Sequence, residues 1–166
     1  MNLRRALLHL CMSDWQRRRA FPDAVLERIE QAVRECEGRH AGQIRFVVET
    51  ALPWAAVWGD QPARERALEL FAAQRVWDTE YNNGVLIYVL LADRDVEIVA
   101  DRGVAGGIVA PGEWESCCRI MEEHFRAGRF EAGAIAGIDA VAAALARHPP
   151  GPRTAGNELS DRPVVL

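Results

Sequence analysis

Between residues 78 and 102 the sequence gathers hard oxygen donors. Asp78, Thr79, Glu80, Asn82 and Asn83 crowd the approach to an apolar run, and Asp101 and Arg102 close the run after it. Carboxylate, carboxamide and hydroxyl oxygens together are what Ca2+ and Mg2+ take as ligands. Thr79, Asn83 and Asp101 are the first candidates for such a cation, with Asp78, Glu80 and Asn82 beside them. Arg102 would grip a phosphate or carboxylate through two parallel N–H bonds. A cation and an arginine flanking one phosphate make a workable phosphoryl-transfer arrangement. The same residue types also serve as plain turn and capping residues ahead of a strand. An Asp-Arg surface pair is worth little, and the spacing matches no EF-hand loop. On residue types alone the turn reading leads. Glu49, Asp93 and Asp95 form a second acidic set, for which solvated turn carboxylates are the first expectation and cation ligation the second.

Other chemistries are excluded outright. All 20 basic residues are arginine, so there is no lysine for a Walker A loop, a Schiff base or a Ser-x-x-Lys acylase. A GC-rich genome would by itself leave lysine rare, so its absence carries no positive weight. Ser13, Ser116 and Ser160 are the only serines, and none sits in a Gly-x-Ser-x-Gly elbow. His9, His40, His124 and His148 form no His-Glu-x-x-His pair, and no Cys-x-x-Cys occurs among Cys11, Cys36, Cys117 and Cys118. The cysteines read as small buried hydrophobes in a reducing compartment. Gly103, Gly106 and Gly107 follow a strand, as phosphate loops do, but without the Gly-x-Gly-x-x-Gly order; a flexible connection is expected, and no nucleotide or organic cofactor. No nucleophile–base pair can be named. The net charge of −4 argues against nucleic acid as the main ligand, and Arg17, Arg18 and Arg19 read as a solvated helix end.

The elements that must position these residues follow from periodicity. At 166 residues and 49% hydrophobic content, one domain with a sizeable core is expected. Residues 1–20 read as a short amphipathic helical extension docking on that domain, a membrane-surface helix being the alternative. No signal-peptide cleavage site and no membrane span is recognised. Pro22 and Asp23 open a helix with Val25, Leu26, Ile29, Val33 and Cys36 on one stripe, ending at Gly38. Gln43 to Thr50 alternates as a strand. A helix from Pro62 is expected to turn Ala67, Leu68, Phe71 and Ala72 inward. Val85 to Leu91 is continuously apolar, which suits a central strand covered on both faces. Asp93-Arg94 then joins it to an antiparallel strand over Asp95 to Asp101. Helices over about 112–127 and 131–147 follow. The first should turn Trp114, Cys117, Met121 and Phe125 inward, and Pro149 and Pro150 should stop the second. Trp77 and Trp114 are expected to be buried, and residues 151–166 to form an extended tail that packs on the body.

Two strands joined through a helix should be parallel neighbours. The expected fold is a three-layer α/β/α sandwich around a small mixed sheet, a parallel crossover plus an antiparallel hairpin. In that topology Asn82, Asn83, Asp101 and Arg102 share one end of the sheet, and Glu49, Asp93 and Asp95 the other.

The chain resembles the TPM-domain family, also called the TPM phosphatase domain, over roughly residues 21–166. The resemblance is carried by Phe21-Pro22, by Gln43 to Glu49, and by the run from Val76 to Tyr88 that contains Trp77-Asp78-Thr79-Glu80-Tyr81-Asn82-Asn83-Gly84. It continues through Val96 to Gly103, Trp114, Phe125 to Gly133 and Asn157 to Pro163. It implies the same α/β/α sandwich, binding of a divalent cation (Ca2+ or Mg2+), and the weak phosphatase activity of some members. Other members are accessory proteins of membrane complexes. Thr79, Asn83, Gly84, Asp101 and Gly103 stand in the matching motifs. The expectation is a cytoplasmic accessory or interaction domain acting with a membrane-associated partner. The alternative is a weak cation-dependent phosphatase acting on phosphomonoesters.

Overall fold

In a computed structural model, residues 3–105, 109–147 and 156–166 are described. Two short helices, α1 (Leu3–Cys11) and α2 (Asp14–Ala20), precede α3 (Asp23–Glu37) and β1 (Gln43–Glu49). The crossover contains α4 (Trp54–Trp58) and α5 (Ala63–Ala73), and leads to β2 (Gly84–Leu90) and β3 (Asp95–Ala100). Then come α6 (Arg102–Ala105), α7 (Pro111–Arg126), α8 (Phe130–Arg147) and β4 (Val164–Val165). The helix stop at Pro149-Pro150 and the Gly106-Gly107 part of the glycine loop lie outside the described residues.

The sheet order is β3-β2-β1-β4. β1 and β2 are parallel, in register from Gln43↔Gly84 to Glu49↔Leu90. β2 and β3 are antiparallel, from Val85↔Ala100 to Leu90↔Asp95. β2 is buried at every position because its two sides face two different cores. Val85, Ile87 and Val89 pack with Ile44, Phe46 and Val48 of β1 against Ile29 and Val33 of α3, Met121 of α7 and Ile138 and Leu145 of α8. Leu86, Tyr88 and Leu90 pack with Val47 against Val57 of α4, Ala67 and Leu70 of α5 and Ala6 of α1. Those are the three layers. Small residues bring α7 and α8 together: a Cβ on Gly133 would stand 2.7 Å from the Phe125 ring, and one on Gly137 would collide with Met121.

Four local expectations give way to tertiary packing. On α5 the inward residues are Ala63, Ala67 and Leu70, whereas Leu68 is half exposed, about one residue's rotation off the stripe. Trp114 is buried, but Trp77 is half exposed on the turn after α5. Cys11 is exposed, unlike buried Cys36 and Cys117. Arg102, expected to close the strand, and residues 103–105, expected as loop, form the short helix α6 (Arg102–Ala105), whose first turn is closed by Val104 and Ala105 N–H groups donating to Asp101 O. The hairpin also needs four residues rather than two. Leu91 and Ala92 donate their N–H groups to Glu49 O and Thr50 O, extending β2 along β1, and Arg94 turns back at φ 54°. The C-terminal tail joins the sheet: Val164 and Val165 pair in parallel with Val47 and Val48, and Arg45 donates to Ser160 O at 2.7 Å.

Candidate functional site

The turn between α5 and β2 is wound tightly enough to bury its polar groups. Thr79 Oγ1 accepts the Asn83 N–H at 3.0 Å, an ST-type turn. The Asn83 carboxamide donates through Nδ2 to Ala41 O at 2.5 Å, fixing its orientation. Asn83 is 1% exposed, and its Oδ1 is buried with no hydrogen-bond partner. One strand away, Asp101 N–H donates to Gly84 O at 2.9 Å, so the two segments meet at the end of the sheet. Asp101 Oδ1 accepts the Arg102 N–H at 2.7 Å; its Oδ2 is buried and has no partner either. Gly103 closes the corner. Its N–H donates to Asn82 O at 2.9 Å, and a Cβ there would collide with Tyr81 O and Asn82 O. Arg102 lies at the rim, with Nε donating to Asn82 Oδ1 at 3.0 Å.

Two buried acceptors without donors, a carboxamide and a carboxylate oxygen, are costly unless something electropositive meets them. Their chemistry fits a hard divalent cation, with Thr79 Oγ1 and carbonyls of the same turn as neutral ligands. The structure thus places Thr79, Asn82, Asn83, Asp101 and Arg102 at one end of the sheet. Asp78 is exposed and ion-paired with Arg75. Exposed Glu80 enters the turn through its backbone, whose N–H donates to Glu158 Oε2 at 2.9 Å. Among the described residues no three His, Cys, Asp or Glu side chains gather as a metal cluster. A cation at this end would therefore meet one carboxylate and otherwise neutral oxygens, which sets a weak affinity.

The opposite end of the sheet is built differently. Glu49 is 3% exposed and accepts Arg66 Nε at 3.0 Å, Arg66 Nη2 at 2.8 Å and the Tyr88 hydroxyl at 2.6 Å. Burial, and then the neighbouring Glu49 carboxylate, raise the Tyr88 phenol, so it stays protonated and donates. Asp93 accepts Arg5 Nη2 at 2.7 Å and His9 Nε2 at 2.9 Å. The Leu52 N–H donates to His9 Nδ1 at 3.0 Å, so the ring proton sits on Nε2 and points at Asp93. Burial works against the Asp93 charge, but the bonds from Arg5 and His9 outweigh it and hold the carboxyl below the ordinary range. Asp95 is pushed up to about 6 by burial and by Glu97 and Glu122 nearby. Glu49 and Asp93 are thus paired carboxylates, not solvated ones, and they latch α5 and α1 to the sheet.

Sequence reasoning did not single out Arg5, Arg66, Tyr88 or Glu37. Tyr88 carried a signal, since a phenol inside a strand buried on both faces must find a partner. Glu37 Oε1 accepts the Ile44 N–H at 2.7 Å where β1 begins. Burial, with Asp161 nearby, pushes its carboxyl up to about 8 against the counter-pull of that bond.

No curated protein matches the chain at a significant level. Among solved structures it is similar to the BA42 protein of the psychrophilic bacterium Bizionia argentinensis, at 26% identity and a TM-score of 0.74, over 86% of this chain and 93% of that one. It is also similar to the N-terminal domain of a protein from P. gingivalis, at 26% identity and a TM-score of 0.55, over 74% of each chain. The TPM-domain family model matches residues 17–144, a span that takes in α3, the β1–β3 core of the sheet and both polar ends. With the Thr79–Asn83 turn and the Asp101–Gly103 corner inside the matched region, the chain belongs to the TPM-domain family.

Proposed function

We propose that this TPM domain is a cytoplasmic accessory module that binds Ca2+ or Mg2+ at the Asn83–Asp101 end and acts with a membrane-associated partner. One observation carries the cation: Asn83 Oδ1 and Asp101 Oδ2 are both buried acceptors without a donor, on adjacent segments of the same sheet end. The accessory role rests on the absence, in the sequence, of a recognisable nucleophile–base pair. A cation held by one carboxylate binds weakly, with a dissociation constant on the order of 0.1–1 mM. Its effect is to stiffen the Thr79–Asn83 turn against Gly103.

The test is a Ca2+ and Mg2+ titration followed by amide NMR shifts. Saturable shifts are expected at Thr79, Asn83, Asp101 and Gly103, weakened about tenfold or more by Asp101→Asn, which removes the one charge. Silence at those amides in roughly 10 mM cation refutes the site. A second reading, a weak phosphatase, is favoured by exposed Arg102 at the rim of the same end. Cation-dependent hydrolysis of a phosphomonoester that Arg102→Met and Asp101→Asn both abolish would decide for it.

A further inference from the structure

The N-terminal helices are fastened to the body on one side and bare on the other. Ala6 and His9 of α1 are buried, and Arg5 and His9 bind Asp93. On the outer arc, Leu3, Leu7 and Leu10 fall on one helical stripe and are 75%, 60% and 70% exposed. Beside α1 packs α4, whose Trp54 and Trp58 are 52% and 59% exposed with ring centroids 5.5 Å apart. Trp15 of α2 is 66% exposed, with the Arg19 guanidinium over its ring at 5.6 Å. Large apolar side chains exposed on two adjacent helices, α1 and α4, mark a surface that meets something.

Charge identifies what it meets. Residues 3–20 hold five arginines and one acid in a chain whose overall charge is −4; Arg5 is matched by Asp93, and Arg17, Arg18 and Arg19 stand together on α2. Two copies of this face would repel each other. Leucine on a helix that lies flat, tryptophan beside it and arginine at its flank is the composition of a segment seated at the headgroup level of a bilayer. No helix among the described residues is long and apolar enough to cross a membrane. We propose that the outer face of α1 and α4, with the arginine-rich α2 that follows α1 in the chain, docks peripherally on an anionic lipid surface. Because Arg5 and His9 already hold α1 in place, the surface is presented as a folded unit and little ordering is needed on contact. The proposal is independent of the cation site.

Flotation of the full chain with vesicles, with chelator present, tests it. Binding is expected to phosphatidylcholine vesicles containing roughly one-third phosphatidylglycerol and not to phosphatidylcholine alone, with a blue shift of tryptophan emission. Arg18→Glu/Arg19→Glu should lower partitioning about 30-fold or more, at roughly fivefold per positive charge removed. Leu3→Glu/Leu7→Glu/Leu10→Glu should abolish it, while Arg119→Glu on α7 should leave it unchanged. These residues are exposed, so unchanged circular dichroism and urea midpoints are expected to certify the fold. No flotation with anionic vesicles overturns the proposal. So does equal binding to neutral vesicles, or equal loss in the α7 variant. A dimer that the leucine variant dissolves, with no vesicle binding, would assign the face to self-association instead.

Discussion

Arg66→Met removes the partner of a carboxylate that has no route to water. The Glu49 side chain is 4% exposed and that of Arg66 is 20% exposed. Three short contacts hold the Glu49 oxygens: Arg66 Nη2 at 2.8 Å, Arg66 Nε at 3.0 Å and the Tyr88 hydroxyl at 2.6 Å. Methionine fills much of the arginine stem's volume but supplies no donor. The buried charge is then left with the tyrosine alone, a loss of about 3–5 kcal/mol. The second arginine contact, to exposed Glu69 at 2.9 Å, adds little. Tyr88→Phe strands less, since Arg66 Nε stays on the same oxygen, and should cost about 1.5–3 kcal/mol. Glu49→Gln/Arg66→Met removes the charge and keeps the tyrosine bond, so it should recover most of the loss. Urea unfolding at neutral pH, followed by far-UV circular dichroism, measures all three. A loss below about 1 kcal/mol in Arg66→Met, or no recovery in the double variant, would refute the view that this end is a structural latch.

Two further outcomes follow from single residues. Glu37 binds its proton more tightly in the folded chain, its carboxyl moving from 4.5 up to about 8. The stability it contributes is therefore complete below pH 4.5 and is lost as pH rises to about 8. Glu37→Gln keeps the acceptor for Ile44 N–H and should flatten that decline, leaving the variant more stable above pH 8 by on the order of 2–4 kcal/mol. Urea midpoints across this range check it; a variant no more stable than wild type at alkaline pH would sink the idea. Gly84→Ala drives a Cβ into Val76 O and within 2.9 Å of Val76 Cγ1, so β2 must shift where it begins. A loss of about 1–3 kcal/mol in urea unfolding is expected, with weaker cation-induced shifts at Asn83.

Elements whose own side chains repeat the pattern of their burial are legible in the sequence. The stripe Val25, Ile29, Val33 and Cys36 is the buried face of α3, and Trp114, Cys117, Met121 and Phe125 line that of α7. The unbroken Val85–Leu91 run marks a strand covered on both sides. The parallel crossover and the hairpin then place Asn83 and Asp101 at one end of the sheet. Leu68 misleads because α5 buries a narrow stripe of small residues, so a large apolar side chain just off it stays in solvent. α4 carries only five residues, too few for any periodicity to show.

Residue types and their order along the chain settle the α/β/α arrangement, the family resemblance and the chemistry open to this protein: hard oxygens and arginine, with no lysine and no serine elbow. Which carboxylates are occupied is settled elsewhere, by contacts between distant segments. Arg66 reaches Glu49 across 17 residues, and Arg5 reaches Asp93 across 88. Those acids are satisfied, whereas Asp101 Oδ2 and Asn83 Oδ1 are left without donors. Propensity and periodicity report each residue's relation to its near neighbours along the chain. Whether a buried oxygen has a donor depends on which distant segment the fold lays beside it.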